Sequence, residues 1–166
     1  MKNPALDMVK IIKKNIFSLI LILSIFFLDR LSKIIIINIE PLYGIKSYPV
    51  FSFLNFELVW NDGIAFGLLS FNDKFYYNFI TLVIIIVTLV ILFLMIKSSN
   101  LEKYGFLMVF SGSLGNIFDR LYYSSVPDFI DIHYNNFHWF IFNVADIFIT
   151  LGVFLLIYTE FLKKND

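Results

Sequence analysis

Four long apolar runs, separated by shorter polar stretches, dominate the hydrophobic pattern of the chain. The clearest run, 75–96, contains no charged residue and is closed by Lys97. It is long enough to cross a bilayer, which takes about 20 helical residues. We predict four membrane helices at about 16–38, 75–96, 104–121 and 139–158, connected by two long loops at 40–73 and 122–138.

The first long loop carries a pattern typical of β structure. Residues 50–60 alternate imperfectly between apolar and polar and are rich in aromatic side chains, which predicts a strand with one face against the membrane surface. The Asn61-Asp62-Gly63 sequence predicts a turn. The short apolar segment 64–69 that follows is expected to form a return strand or to lead into the second helix.

The composition supports a lipid environment and excludes several kinds of chemistry. The chain is 59% hydrophobic and 16% charged, whereas a soluble domain is roughly 45–50% apolar and about 25% charged. A net charge of zero gives no electrostatic reason to expect a nucleic-acid partner. The absence of Cys excludes thiolate nucleophiles, iron–sulfur clusters and cysteine zinc sites. Two His without a His-Glu-x-x-His motif argue against a zinc protease.

The lysines predict the orientation of the four helices. If the helices alternate in direction, most lysines fall on one side of the membrane: Lys2, Lys10, Lys13, Lys14, Lys97, Lys103, Lys163 and Lys164. The positive-inside rule then places both termini and the 97–103 loop in the cytoplasm. The two long loops lie outside, and we expect them to carry the function.

Polar residues of three predicted helices lie at a common depth. Asp29, Asn116 and Asp146 are each 12 or 13 residues from the cytoplasmic end of their helix, or about 18–20 Å at 1.5 Å per residue. Helical spacing also places three pairs on shared faces: Asp29 with Lys33, Asn116 with Arg120, and Asn143 with Asp146. Because ionisable groups in a membrane are costly, this cluster in the outer third of the bilayer is a functional-site hypothesis.

Each of these residues also has a purely structural interpretation. Asp29, Arg30 and Lys33 could form an interfacial salt-bridge cluster, and Asp119 beside Arg120 could be a local ion pair at a helix end. Asp128, taken alone, is typical of a solvated turn. The small residues 111–115 indicate close helix packing rather than a serine nucleophile, and His133 and His138 are interpreted as polar groups at headgroup level rather than ligands.

Five separated segments, taken together, resemble a known family. They are 29–33 (DRLSK), 61–66 (NDGIAF), 112–120 (GSLGNIFDR), 126–129 (VPDF) and 142–146 (FNVAD). In this order, on a four-helix chain of this length, they resemble the lipoprotein signal peptidases, also called signal peptidase II. The resemblance covers residues 29–146.

The resemblance implies an aspartic endopeptidase of the bacterial inner membrane that removes signal peptides from diacylglyceryl-modified prolipoproteins. It implies Asp128 and Asp146 as the catalytic pair, supported around substrate and dyad by Asp29, Asn61, Asn116, Arg120 and Asn143. The expected fold is an all-α membrane protein of four transmembrane helices, with a small extracytoplasmic β-cradle and a short surface helix formed by 40–73. We expect a monomer that works without cofactor or metal, whose partners are lipidated prolipoprotein and membrane lipid.

Physical chemistry offers a reason for the catalytic pair. Two adjacent carboxyl groups cannot both ionise cheaply, so one can polarise a carbonyl as an acid while the other activates water. Two alternatives remain open at this point. A small proton-coupled transporter would use Asp29, Asp119 and Asp146 as a proton relay, and a membrane scaffold would need none of these groups for chemistry.

Overall fold

The computed structural model describes residues 4–43, 47–63 and 74–164. Within them the chain forms four helices and four strands. The helices are α1 (Pro4–Tyr43), α2 (Lys74–Lys97), α3 (Asn100–Tyr123) and α4 (Val144–Lys164). The strands are β1 (Ser47–Phe51), β2 (Leu54–Asn61), β3 (Val126–Tyr134) and β4 (Phe137–Phe142). The fold is therefore mostly helical with one small sheet, as expected.

The helices expose apolar side chains and enclose polar ones, the reverse of a water-soluble bundle. On α1, Phe27, Leu28 and Leu31 point outward and are more than half exposed, whereas Asp29 and Lys33 are fully buried. By length and composition, α2 and residues 144–163 of α4 could each cross a membrane. Helices α1 and α3 contain buried charged residues. That all four helices span the membrane therefore stays a prediction.

Small residues bring α3 and α4 into close contact, as predicted for 111–115. A Cβ added to Gly112 would lie 2.5 Å from the carbonyl oxygen of Ala145, and one added to Gly152 would lie 2.7 Å from the carbonyl oxygen of Gly105. Glycine therefore allows backbone to approach backbone at two levels of this helix pair. The contact between Gly112 and Ala145 lies beside the first turn of α4.

The sheet is antiparallel with strand order β1-β2-β3-β4. It connects to the end of the bundle where α3 stops and α4 starts, because β3 and β4 lie between these two helices in the chain. The first residues of β3, Val126 to Phe129, are buried, whereas Phe137 and Trp139 of β4 are exposed. Thus β3 packs its first residues against the helices.

Several predicted boundaries differ from the structure. The strand expected at 50–60 is a hairpin of β1 and β2, broken between Phe51 and Leu54. The fourth helix starts at Val144 rather than near 139, because Phe137–Phe142 pairs with β3. An apolar run of this length fits a buried helix or a strand equally well, and only the partner strand decides between them.

Other differences concern the ends of helices. The predicted 97–103 loop is only two residues long, since α3 starts at Asn100. The first helix begins at Pro4, well before the predicted start near residue 16. The described part of 40–73 contains α1's last residues and two strands, and the segment 64–69 and the predicted surface helix fall outside the described residues.

Candidate active site

Asp128 and Asp146 line one cavity of about 240 Å³, although they come from different elements. Asp128 lies on β3 and Asp146 in the first turn of α4. Four of the predicted supporting residues line the same cavity: Asn61, Asn116, Arg120 and Asn143. The tertiary structure thus gathers six of the seven predicted site residues, and the seventh, Asp29, lies behind them.

Asn143 links the two carboxyl groups. Its side-chain Nδ2 donates to Asp128 Oδ1 at 2.6 Å, and its backbone N–H donates to Asp146 Oδ2 at 3.1 Å. Its Oδ1 accepts from the backbone N–H of Asp146, also at 3.1 Å. This reciprocal pair is the capping arrangement of a helix N-terminus. Asn143 therefore precedes α4 rather than lying inside it, which corrects the prediction from the apolar run.

Asp128 receives its second hydrogen bond from β2. Asn61 Nδ2 donates to Asp128 Oδ2 at 2.9 Å, and the backbone N–H of Gly63 holds Asn61 by donating to its Oδ1 at 3.0 Å. The predicted turn after β2 therefore orients the amide that meets the carboxyl group. Pairing of Asn61 with Val126 in the β2–β3 register places this amide opposite the start of the strand that carries Asp128.

Burial makes Asp128 a weak acid. Loss of hydration raises its pKa from an ordinary 3.8 to about 7, with the negative charge of Asp146 acting in the same direction. The amides of Asn61 and Asn143 and the charge of Lys33 oppose the rise without cancelling it. A carboxyl group with this pKa exists in both protonation states near neutral pH, as acid–base catalysis requires.

Asp146 accepts a hydrogen bond from a residue of α3, Asn116. Asn116 Nδ2 donates to Asp146 Oδ1 at 2.9 Å, and Asn116 Oδ1 accepts from Lys33 Nζ at 3.0 Å and from Asn143 Nδ2 at 3.2 Å. The orientation of the Asn116 amide is therefore determined by donors on one side and the carboxylate on the other. A lysine of α1 is thereby connected to the cavity through one amide.

A compact ion network lies behind the cavity. Lys33 Nζ contacts Asp119 at 2.6 Å and Asp29 at 3.0 Å, and Arg30 contacts the same two carboxylates. The four side chains are at most 8% exposed. Two positive and two negative charges compensate each other, which is the condition for tolerating buried ions. The predicted salt-bridge cluster is thus real but buried, and Asp119 pairs with α1 rather than with Arg120.

Asp29 connects this network to the helix that carries Asp146. Its Oδ1 accepts a hydrogen bond from the backbone N–H of Ala145 at 3.0 Å. This N–H is one of the free donors at the start of α4, where a negative charge is favourable. A Cβ on Gly115 would lie 2.6 Å from Asp29 Oδ2, so glycine leaves the space for the carboxylate. Asp29 therefore positions α4 without lining the cavity.

Arg120 connects α3 to the turn after β2. Its guanidinium donates to the carbonyl oxygen of Gly63 and lies 5.5 Å from the centre of the Tyr77 ring. Tyr77 in turn donates from its hydroxyl to the backbone carbonyl of Arg120 at 3.3 Å. Sequence reasoning missed Tyr77, because one tyrosine near the start of an apolar helix resembles any interfacial aromatic residue. It also named Lys33 only as a partner of Asp29.

An apolar cavity of about 510 Å³ adjoins the first. Asp146 and Thr150 line both cavities. The remaining lining is almost entirely hydrophobic: Ile132, Trp139, Phe140, Phe142, Ile147 and Leu151. The polar cavity therefore has an apolar neighbour that extends between β4 and α4.

Comparisons with known proteins identify the family. The profile of the signal peptidase (SPase) II family matches residues 21–162. A lipoprotein signal peptidase of Pelagibacter ubique (strain HTCC1062) is 45% identical over 157 residues, covering 94% of this chain and 95% of that protein. One of Alteromonas mediterranea is 38% identical over 144 residues, covering 85% of this chain and 78% of that protein.

Solved structures agree as well. One described as a bacterial membrane enzyme superposes with a TM-score of 0.74 at 29% identity, covering 90% of each chain. A second with the same description gives a TM-score of 0.68 at 29% identity, covering 86% of this chain and 91% of the other. A membrane-embedded location follows from these relatives and from the apolar outer faces of the helices. The chain belongs to the signal peptidase II family.

Proposed function

We propose that this protein is an aspartic endopeptidase that removes the signal peptide from diacylglyceryl-modified prolipoproteins. The observation that carries the proposal is the bridging of Asp128 and Asp146 by Asn143 at the wall of one cavity. The relatives are named lipoprotein signal peptidases, and that name supplies the substrate class.

In the proposed reaction the two carboxyl groups have complementary roles. Protonated Asp128 donates its proton to the scissile carbonyl oxygen, while Asp146 accepts a proton from the attacking water. The water oxygen bonds to the carbonyl carbon, the C–N bond then breaks as the leaving nitrogen takes a proton from Asp146, and the protonated carbonyl oxygen returns its proton to Asp128 as the carboxylic acid product forms. Asp128 is buried and accepts hydrogen bonds from the neutral amides of Asn61 and Asn143, which supports its role as the acid. Two donors on Asp146, Asn143 N–H and Asn116 Nδ2, support its ionised form.

The supporting residues have roles that follow from their contacts. Asn61, Asn116 and Asn143 orient the two carboxyl groups and can present amide groups to an extended substrate backbone. Arg120 braces the Asn61–Gly63 turn through the Gly63 carbonyl. Asp29 holds the start of α4 through the Ala145 N–H. No metal or cofactor takes part in the proposed reaction.

The adjoining apolar cavity suits a lipidated substrate. Its hydrophobic lining starts beside Asp146 and extends between β4 and α4. Acyl chains attached near the scissile bond would occupy such a surface or the surrounding lipid.

We also propose that the protein lies in the bacterial inner membrane, with both termini cytoplasmic and the site near the outer leaflet. The lysine distribution supports this orientation.

The transporter alternative is unsupported. Its proton relay needs Asp29 and Asp119 as free carriers, but both are ion-paired with Arg30 and Lys33. The relatives are peptidases by name. A scaffold would predict that charge-neutral changes at the dyad leave function intact, which the following experiment tests.

The test is single-turnover cleavage of a lipidated precursor by the parent, Asp128→Asn, Asp146→Asn and the double variant in one detergent. Each single change should slow cleavage at least about 100-fold, the low end for loss of a general acid or base. The double change should add little, because the two groups act as a unit. Glu160→Gln, which alters an exposed carboxylate near the end of α4, is the matched control. Near-parental turnover by well-folded Asp128→Asn would refute the dyad.

A further inference from the structure

The turn between β3 and β4 brings the two histidines of the chain together. Asn135 and Asn136 form a two-residue turn, with Asn135 at φ 51, a left-handed conformation that Asn tolerates. This turn pairs His133 with His138 across the hairpin. Their rings stack with centroids 5.1 Å apart and planes at 20°. The proposed cleavage reaction uses neither imidazole.

A buried carboxylate faces both rings. Asp131 is two residues before His133 on β3, and its side chain is 1% exposed. His138 Nδ1 lies 2.9 Å from Asp131 Oδ2, and His133 Nδ1 lies 3.8 Å from the same oxygen. Asn55 adds one hydrogen bond to Asp131 at 3.3 Å. The Nδ1 atoms of both imidazoles therefore lie within 4 Å of one Asp131 oxygen, and the shorter of the two contacts is a hydrogen bond.

From this arrangement we propose that Asp131, His133 and His138 form an extracytoplasmic binding site for a divalent transition metal ion of the Zn²⁺ type. One atom from each residue can be chosen so that the three lie within 4.8 Å of one another. With bonds of about 2.1 Å to zinc, neighbouring ligand atoms in a tetrahedron lie roughly 3.4 Å apart. The observed separations of 2.9 and 3.8 Å lie on either side of this value.

One detail favours a ligand over a simple polar cluster. His133 Nδ1 is buried and has no hydrogen-bond partner among the described residues. A buried imidazole nitrogen without a partner is costly, and a metal ion between it and Asp131 would satisfy it. Two imidazoles and a carboxylate are ligands that zinc accepts, and three protein ligands leave a fourth position open. The half-exposed ring of His138 gives the ion a path from solvent.

The site would tie together the hairpin that carries Asp128. Asp128 and Asp131 lie on the same strand, three residues apart, so the metal would hold β3 to β4 beyond the active-site cavity. The site itself does not take part in the proposed hydrolysis. Metal binding to the folded state alone would raise the thermal midpoint in a concentration-dependent way.

The test uses the full-length protein in detergent, purified without a polyhistidine tag. The composition helps, because the chain has no Cys and its two histidines are both in the site. Zinc titrated into the parent should bind with a stoichiometry of one per chain and raise the thermal midpoint. Cobalt at the same site should give the intense absorption of a tetrahedral complex. Copper should show coupling to two imidazole nitrogens in its electron paramagnetic resonance spectrum.

Variants separate this site from adventitious binding. His138→Gln alters a half-exposed ring and should fold. It should weaken zinc binding at least about 10-fold, the lower end of the loss caused by removing an outer-shell partner. His133→Gln should do the same, whereas the exposed-carboxylate control Glu160→Gln should bind as the parent does. Unsaturable binding by the parent, or parental affinity in folded His138→Gln, would overturn the proposal. Asp128→Asn should keep the metal, so this result is independent of the cleavage test.

Discussion

At the scale of single residues, the chemistry proposed for this site depends on the different hydrogen-bond partners of its two aspartates. Asp128 accepts hydrogen bonds from two neutral amides, on Asn61 and Asn143. Asp146 accepts from a helix N-terminal N–H and from Asn116, whose oxygen contacts Lys33. In the proposed reaction this difference in hydrogen-bond partners gives Asp128 the role of the acid and Asp146 that of the base.

Asp128 makes stability depend on pH in a defined direction. Its pKa is raised to about 7, so the folded state holds a proton that the unfolded state releases near pH 4. Below about pH 4 the carboxyl is protonated in both states and its burial costs no charge, so the contribution of Asp128 to folding stability is fully present. This contribution is lost progressively as the pH rises through about 7. The slope cannot exceed about 1.4 kcal/mol per pH unit for one proton.

We therefore expect Asp128→Asn to gain stability relative to the parent as the pH increases from about 4 to about 7. Above that window the difference should be constant. Thermal unfolding midpoints of both proteins, measured across this range in one detergent, check the expectation. A pH-independent difference between Asp128→Asn and the parent would mean that Asp128 is ionised in the folded state without cost.

At the scale of the elements, the position of α4 relative to α3 determines the site. The first turn of α4 carries Asp146, and α3 supplies Asn116, Asp119 and Arg120. Close approach at Gly112 lets Asn116 reach Asp146 at 2.9 Å. Asp29 of α1 then secures the same turn through Ala145. Helices α1, α3 and α4 therefore meet at the first turn of α4.

Gly112→Ala should disturb this arrangement. Its Cβ would lie 2.5 Å from the Ala145 carbonyl oxygen and 2.8 Å from Ile149 Cγ1, so α4 has to shift. Overpacking of this kind costs about 1–3 kcal/mol, and displacement of Asp146 should lower cleavage at least about 10-fold. Thermal midpoints and single-turnover rates measure the two effects.

Gly105→Ala is the control on the same helix pair. There the closest atom is a side-chain atom, Leu156 Cγ at 2.8 Å, with the Gly152 carbonyl oxygen at 3.1 Å. It should lower stability more than activity, because Asp146 is several turns away. Equal losses of activity in the two variants would show that helix packing in general, rather than the position of Asp146, controls the rate.

At the scale of the whole molecule, the structure separates an apolar exterior from a charged interior. Outward-facing side chains of α1, α2 and α4 are large and hydrophobic. In the interior, the charges of Asp29, Arg30, Lys33 and Asp119 neutralise each other. The sheet lies at the α3–α4 connection, and the α2–α3 turn lies at the opposite ends of α2 and α3. If α3 spans the membrane as predicted, the sheet and the α2–α3 turn lie on opposite sides.

Topology can be tested with single cysteines, because the chain contains none. In spheroplasts, Asn136→Cys in the β3–β4 turn should react with a membrane-impermeant maleimide. Ser99→Cys, in the exposed α2–α3 turn, should react only after permeabilisation. The lysine distribution is the reason for this direction. Labelling of Ser99→Cys in intact spheroplasts would invert the proposed orientation and place the site on the cytoplasmic side.

Local sequence was sufficient for part of this picture. The length of the apolar runs indicated the helices, and small residues indicated close packing. The Asn61-Asp62-Gly63 turn was also predicted, and its Gly63 N–H holds the Asn61 side chain. The resemblance of the five motifs to a known family indicated seven candidate site residues, and six of them line one cavity. These features depend on neighbours within a few positions or on residue types, which one sequence displays directly.

Tertiary structure decided what depends on distant partners. Residues 137–142 became a strand because β3 was available for pairing, and Asn143 thereby became a helix cap instead of an interior residue. Asp119 bonded to Arg30 and Lys33, which are more than 80 positions away, rather than to its neighbour Arg120. An apolar run does not specify its hydrogen-bonding partner, and a charge does not specify its counterion. The fold alone brings those groups together.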